Sequence, residues 1–141
     1  MAGINLFAEK GYASTSVREI VSAAGVTKPV LYYYFQSKEG LFRAILDSAA
    51  QEQEVILEEA LQKPGTALER IVHLYRRLYK ALMENLQLFK MINHLFFGPP
   101  QGAPGYDIER FHRRMAEVIR KIYLGGLRQG ELRDVDPEEA A

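Results

Sequence analysis

The chain has 141 residues, is 48% hydrophobic and contains no cysteine, so it can bury a core of its own and excludes disulfides and thiolate metal sites. Its 18 basic side chains balance 18 acidic ones, so any affinity for a polyanion has to come from local clustering rather than net charge. No apolar run reaches the length of a membrane span and the first residues lack the pattern of a secretory signal, so the expected location is the cytoplasm.

Ile4, Phe7 and Ala8 make a short apolar face that ends at Gly11, a helix stop. Ser16-Val17-Arg18-Glu19 has the Ser-x-x-Glu form in which hydroxyl and carboxylate each satisfy the other's backbone amide, so a second helix starts there. Val17, Ile20, Val21 and Ala24 recur at helical spacing and give it one apolar side. Gly25-Val26-Thr27 breaks the pattern: glycine takes the positive φ of a sharp turn, and Thr27 is a good N-cap. Pro29 then sits in the first turn of a third helix, where its missing N–H costs nothing. Leu31 and Phe35 share a face of that helix with Tyr34 beside them, while Tyr32 and Tyr33 project away. Two short helices joined by a tight turn containing glycine form a helix-turn-helix. Ser37 caps a fourth helix with half a capping box, because Gly40 stands where an acid or amide would complete it. Its apolar positions are Leu41, Phe42, Ile45, Leu46 and Ala49, then, after a polar stretch, Leu57, Ala60 and Leu61. Lys63-Pro64-Gly65 ends it.

Thr66 caps a fifth helix, in which Leu68, Ile71, Val72, Tyr75, Leu78, Tyr79 and Leu82 follow helical spacing. Residues 86–97 are apolar nearly all round, which predicts a buried helix. Three Pro and three Gly within residues 98–105 predict a loop. A long helix is expected from about residue 107 to 129, with Gly125-Gly126 as a weak or closely packed spot and Gly130 as its stop. Asp136-Pro137-Glu138 looks like the start of another helix. Strand-like alternation and internal repeats are not visible. The fold class is all-α, with a three-helix helix-turn-helix head at residues 1–47 joined by a connector helix to a helical body at residues 48–141.

Residues at the start of the second helix of a helix-turn-helix reach base edges in the major groove of double-stranded DNA. Thr27, Lys28, Pro29 and Val30 stand there. Lys28 can donate to guanine, and Pro29 or Val30 can touch a thymine methyl. Tyr32, Tyr33 and Tyr34 can donate hydroxyls to phosphates, as can Ser16 or Thr15 at the preceding helix start. Lys38 opens the fourth helix, where charge and free amides both favour a phosphate. The competing reading is a helical hairpin whose tyrosines are core or interface residues, but three consecutive tyrosines cannot all point inward from one helix.

The motifs Phe7-Ala8-Glu9-Lys10-Gly11-Tyr12, Ser16-Val17-Arg18-Glu19-Ile20, Ala24-Gly25-Val26-Thr27-Lys28, Leu31-Tyr32-Tyr33-Tyr34-Phe35 and Ser37-Lys38-Glu39-Gly40-Leu41, at unbroken spacing, resemble the DNA-binding domain of the TetR (tetracycline-repressor-like) family. The match covers about residues 3–47; beyond it only the helical pattern is similar. The resemblance implies a homodimeric, ligand-responsive transcription factor, usually a repressor, that binds a palindromic operator. It also implies that Arg18, Thr27, Lys28, Pro29, Val30, Tyr32, Tyr33, Tyr34 and Lys38 occupy positions that touch DNA, with Arg18 and Lys28 as base readers and the tyrosines and Lys38 as backbone contacts. Family members begin with a longer first helix and a basic arm, and end with two further helices that pair with a partner subunit. The expectation is therefore a first helix present only in part and a body incomplete at its C-terminus.

A pocket for a small apolar or amphipathic effector is expected among Tyr75, Tyr79, Met83, Phe89, His94, Phe97, Phe111 and Met115, on predicted inward or mixed faces. The same stripes also read as ordinary helical core, and His94 as a core histidine with its hydrogen bonds satisfied. Glu109 and His112 have the Glu-x-x-His spacing of di-iron bundles, but such sites need a second copy and two further carboxylates, so no metal, cofactor or enzyme activity is expected. From another functional class, a helical small-molecule-binding or interaction protein without DNA binding stays open, because residues 1–47 hold five cations against four anions.

Overall fold

The computed structural model describes residues 2–97 and 102–132, and among them every regular element is a helix. In chain order these are α1 (Ala2–Lys10), α2 (Val17–Ala24), α3 (Lys28–Phe35), α4 (Lys38–Gln62), α5 (Ala67–Glu84), α6 (Leu86–Phe97) and α7 (Arg110–Arg128). The expected helix start at Asp136-Pro137 and the loop residues 98–101 lie outside the described residues. No helix among those described is long and apolar enough to cross a membrane.

Local chemistry explains most of the boundaries. The Ser16–Glu19 capping box forms in both directions: the Glu19 amide donates to the Ser16 hydroxyl at 3.2 Å and the Ser16 amide to the Glu19 carboxylate at 2.8 Å. Gly25 ends α2 in the left-handed region at φ 66°, which an L side chain resists. Ser37 caps α4 from the Gly40 amide at 2.9 Å, the expected half box. Gly40 has its own reason to be glycine, since a Cβ there would run into the carbonyl oxygen of Phe35. At α5 the cap is a full box, Thr66 with Glu69, whose Thr-x-x-Glu signature the sequence carried unread.

The chain packs as two compact units, Met1–Glu52 with Ala81–Glu109, and Gln53–Lys80 with Arg110–Ala141; α4 and α5 each contribute to both. In the first unit Ile4, Phe7, Ala8, Ile20, Val21, Leu31, Phe42, Ile45, Leu46 and Met91 form one core. Phe7, Tyr12 and Phe42 cluster inside it, with ring centroids 5.0–5.7 Å apart. Here α1 packs more extensively on α6 than on α2. The α6 helix was expected to be buried all round, yet only Met91 is; Phe89 and Phe97 are exposed. One helix face reaches the head core, and apolar composition alone does not supply the others with neighbours.

In the second unit the buried positions include Ile56, Leu57, Ala60, Leu74, Phe111, Val118 and Ile122. Arg114 of α7 donates to Glu54 of α4 from Nη2 and Nε, at 2.5 and 2.9 Å, and from Nη1 to Glu117 on its own helix. This raises the Arg114 pKa further and holds the Glu54 carboxyl below its ordinary value. The two glycines of α7 differ: a Cβ on Gly125 would meet open space, whereas one on Gly126 would lie 2.6 Å from the Ala67 Cβ.

Candidate nucleic-acid interface

The α2–α3 pair presents its polar and aromatic side chains outward. Arg18 lies in the first turn of α2, and Lys28, Pro29 and Val30 form the first turn of α3; all four are exposed. Thr27 has the extended backbone of an N-cap, φ −99° and ψ 159°, but its hydroxyl makes no cap hydrogen bond and remains available to a partner. On α3 only Leu31 is buried, while Tyr32, Tyr33 and Tyr34 are 46%, 81% and 70% exposed. Tyr33 and Tyr34 meet edge to face, centroids 5.0 Å apart, which limits their rotamers at little cost in accessibility.

The cations of the head divide into engaged and free. Lys10 pairs with Glu19 at 2.7 Å and Arg43 with Glu39 at 2.9 Å. Glu19 is held down to about 2, first by the Lys10 hydrogen bond and then by the amide and hydroxyl of Ser16. Lys38 donates to the carbonyls of Tyr12 and Thr15, both at 2.9 Å, with its ammonium 4.1 Å from the centre of the Tyr12 ring. An ammonium has three protons, so Lys38 keeps at most one for a phosphate. Arg18 and Lys28 make no hydrogen bond or ion pair with any described residue, and they flank the turn between α2 and α3.

Two hydroxyls expected to face phosphates have internal duties. Thr15 is buried, and its hydroxyl donates to the Gly11 carbonyl at 2.7 Å with the Leu6 carbonyl at 3.2 Å, so it lies out of reach of a nucleic acid. The Ser16 hydroxyl donates to the Glu19 carboxylate at 2.8 Å, leaving only acceptor capacity. Lys38 is likewise first a tether between the start of α4 and the segment that joins α1 to α2. The Lys38 engagement crosses a long stretch of chain, that of Ser16 competes within one box and that of Thr15 reaches back to the carbonyls of Gly11 and Leu6, and residue type does not reveal them.

The eight expected effector contacts are divided between the units, Met83, Phe89, His94 and Phe97 in the first and Tyr75, Tyr79, Phe111 and Met115 in the second. Tyr75, Tyr79 and Met83 are exposed on α5, and Phe89 and Phe97 on α6, so of the inward or mixed faces expected for them these side chains are not on an inward one. Phe111 is buried and Met115 half-buried on α7. His94 is exposed rather than a core histidine, and makes no hydrogen bond among the described residues. It does line a cavity of about 390 Å³ in the first unit, whose other walls include Phe7, Tyr12, Phe42, Met91 and the segment Gly102–Tyr106. No sequence motif marks those residues, because helix packing and an irregular loop bring them together. Glu109 and His112 are exposed, and the described residues contain no group of three or more His, Asp or Glu arranged to hold a metal ion.

Residues 1–45 match the family described as bacterial regulatory proteins, tetR family. The uncharacterized HTH-type transcriptional regulator YezE of Bacillus subtilis (strain 168) is 26% identical over 144 residues, covering 98% of this chain and 73% of its own. Among solved structures, a TetR/AcrR-family transcriptional regulator from Thermobifida fusca YX-ER1 is 34% identical with a TM-score of 0.64, the match covering 96% of this chain and 72% of that one. A gamma-butyrolactone receptor (ArpA-like protein) superposes with a TM-score of 0.78 at 26% identity, over 96% of this chain and 69% of the receptor. The helix-turn-helix and these likenesses define a DNA-binding transcriptional regulator. The chain belongs to the TetR family.

Proposed function

We propose that the chain represses transcription by binding a palindromic operator as a homodimer, and releases it when a small apolar or amphipathic molecule binds. The observation that carries the DNA side is the pairing of unengaged Arg18 and Lys28 with three exposed tyrosines on one short helix. Thr27, Lys28, Pro29 and Val30 read base edges; Tyr32, Tyr33 and Tyr34 set the register on phosphates. Lys38 lends its remaining proton to a phosphate, whereas the Ser16 hydroxyl, its proton held by Glu19, reaches one only by leaving that carboxylate. Two heads on a two-fold axis need half-sites one or more helical turns apart. The likeness to a gamma-butyrolactone receptor supports a small-molecule response. The α4 helix runs from the head into the second unit and is the covalent route for coupling, for which ~1–3 kcal/mol is typical.

Fluorescence anisotropy with duplexes drawn from the DNA flanking the coding region tests this reading. Binding to one inverted repeat, weakening as salt rises, is the expected result. No binding to any duplex at low salt would leave the alternative, a helical small-molecule-binding or interaction protein, which the zero net charge and the engaged Lys10, Lys38 and Arg43 favour.

A further inference from the structure

We propose that the cavity beside the helix-turn-helix head is a binding site for a small, flat, mainly apolar molecule carrying one carboxylate. The site lies wholly within the first unit, against the core that supports α2 and α3. Its floor is the ring cluster of Phe7, Tyr12 and Phe42, and Met91 and Leu95 of α6 close one side. Aromatic and thioether surfaces of this kind suit a flat ring system. At about 390 Å³ the cavity falls within the range of small-ligand sites and has room for roughly ten to fifteen non-hydrogen atoms.

Two polar features make it more than a gap in packing. The loop wall is tied in place, because the Tyr106 hydroxyl donates to the Asp47 carboxylate of α4 at 2.7 Å. The His94 imidazole borders the cavity with no hydrogen bond to any described residue, so its ring N–H is available to a carboxylate at the rim. Tyr12 gives the site a link to the DNA-binding surface. Its ring lines the cavity, while its carbonyl and ring face hold Lys38 at the start of α4. A molecule seated on Tyr12 therefore bears on the residue that ties the start of α4 to the segment between α1 and α2. That regulatory consequence rests on the DNA-binding reading; the binding itself does not.

The probe is 2-naphthoate, with its neutral counterpart 2-naphthalenemethanol, titrated into the DNA-free protein by calorimetry. Saturable 2-naphthoate binding is expected, with affinity reduced about tenfold or more by Ala103→Phe, which fills the cavity from the loop side. His94→Gln, an exposed position, is expected to weaken 2-naphthoate several-fold while leaving the alcohol unchanged, a contrast that loss of folding cannot produce. Absence of saturable binding, parental affinity in a folded Ala103→Phe protein, or equal weakening of both probes by His94→Gln would each overturn the site. Failure of the DNA-binding reading shows separately, as no duplex binding without any probe present.

Discussion

Lys28 and Lys38 carry the same charge at opposite ends of the reading helix and its turn, and their surroundings give them different work. Replacing Lys28 with alanine removes an exposed, unengaged cation. Anisotropy is expected to show a loss of about 1–3 kcal/mol on the operator and less on random duplex, with an unchanged melting temperature. Lys38→Ala strands the Tyr12 and Thr15 carbonyls, so calorimetry is expected to show a folding loss of about 1–2 kcal/mol as well as weaker binding to all DNA. Glu19 offers a second test at this scale. Its folded pKa of about 2 lies below the ordinary 4.5, so its contribution to stability is full above pH 4.5 and is lost as pH falls toward 2. Glu54, Glu59 and Glu69 are lowered too and act in the same direction. In thermal melts across that window, Glu19→Gln is expected to show a shallower pH dependence than the parent.

Helix ends and helix contacts carry the next set of consequences. Gly125 and Gly126 adjoin on α7 with opposite surroundings. Gly125→Ala gains helix propensity without meeting a neighbour, and chemical denaturation is expected to show stabilisation of about 0.5–1 kcal/mol. Gly126→Ala drives a methyl into Ala67 and Leu132, and a loss of about 1–3 kcal/mol is expected in the same measurement. The sequence marks both glycines equally, since the difference lies in what crosses the helix there. The caps are the reverse case. Ser16–Glu19 and Thr66–Glu69 lie within one turn of chain, so residue type and spacing suffice to place them.

For the whole molecule, a neutral chain that binds DNA has to do so with few charges. In the proposed dimer, Arg18, Lys28 and Lys38 from each of two heads neutralise about six phosphates, so the slope of log affinity against log salt is expected to be about −5 in a salt series by anisotropy. A much steeper slope would mean that Lys10 and Arg43 leave their present partners on binding. The compact units also regroup the chain. Residues 1–47 form the head along the sequence, yet the head's core includes Met91, and α6 packs on α1. The segment after the head thus supports the reading helices as well as following them.

By itself the sequence determined the all-α class, the positions of the helices, the helix-turn-helix and its outward tyrosines. All of these depend on interactions within a few residues: caps, a left-handed glycine, and an apolar period that leaves Tyr32 and Tyr33 no inward side. Only the tertiary structure decided which polar groups stay free. It spent Thr15, Ser16 and Lys38 internally, and it left Tyr75, Tyr79 and His94 outside the core that periodicity had suggested for them. Periodicity states that a helix has an apolar face, but not what meets it. Lys38 finds its carbonyls more than twenty residues earlier in the chain, and the cavity beside Tyr12 exists because α6 and an irregular loop close over α1. Such contacts are set by how the chain returns on itself, and no local pattern of residues encodes that distance.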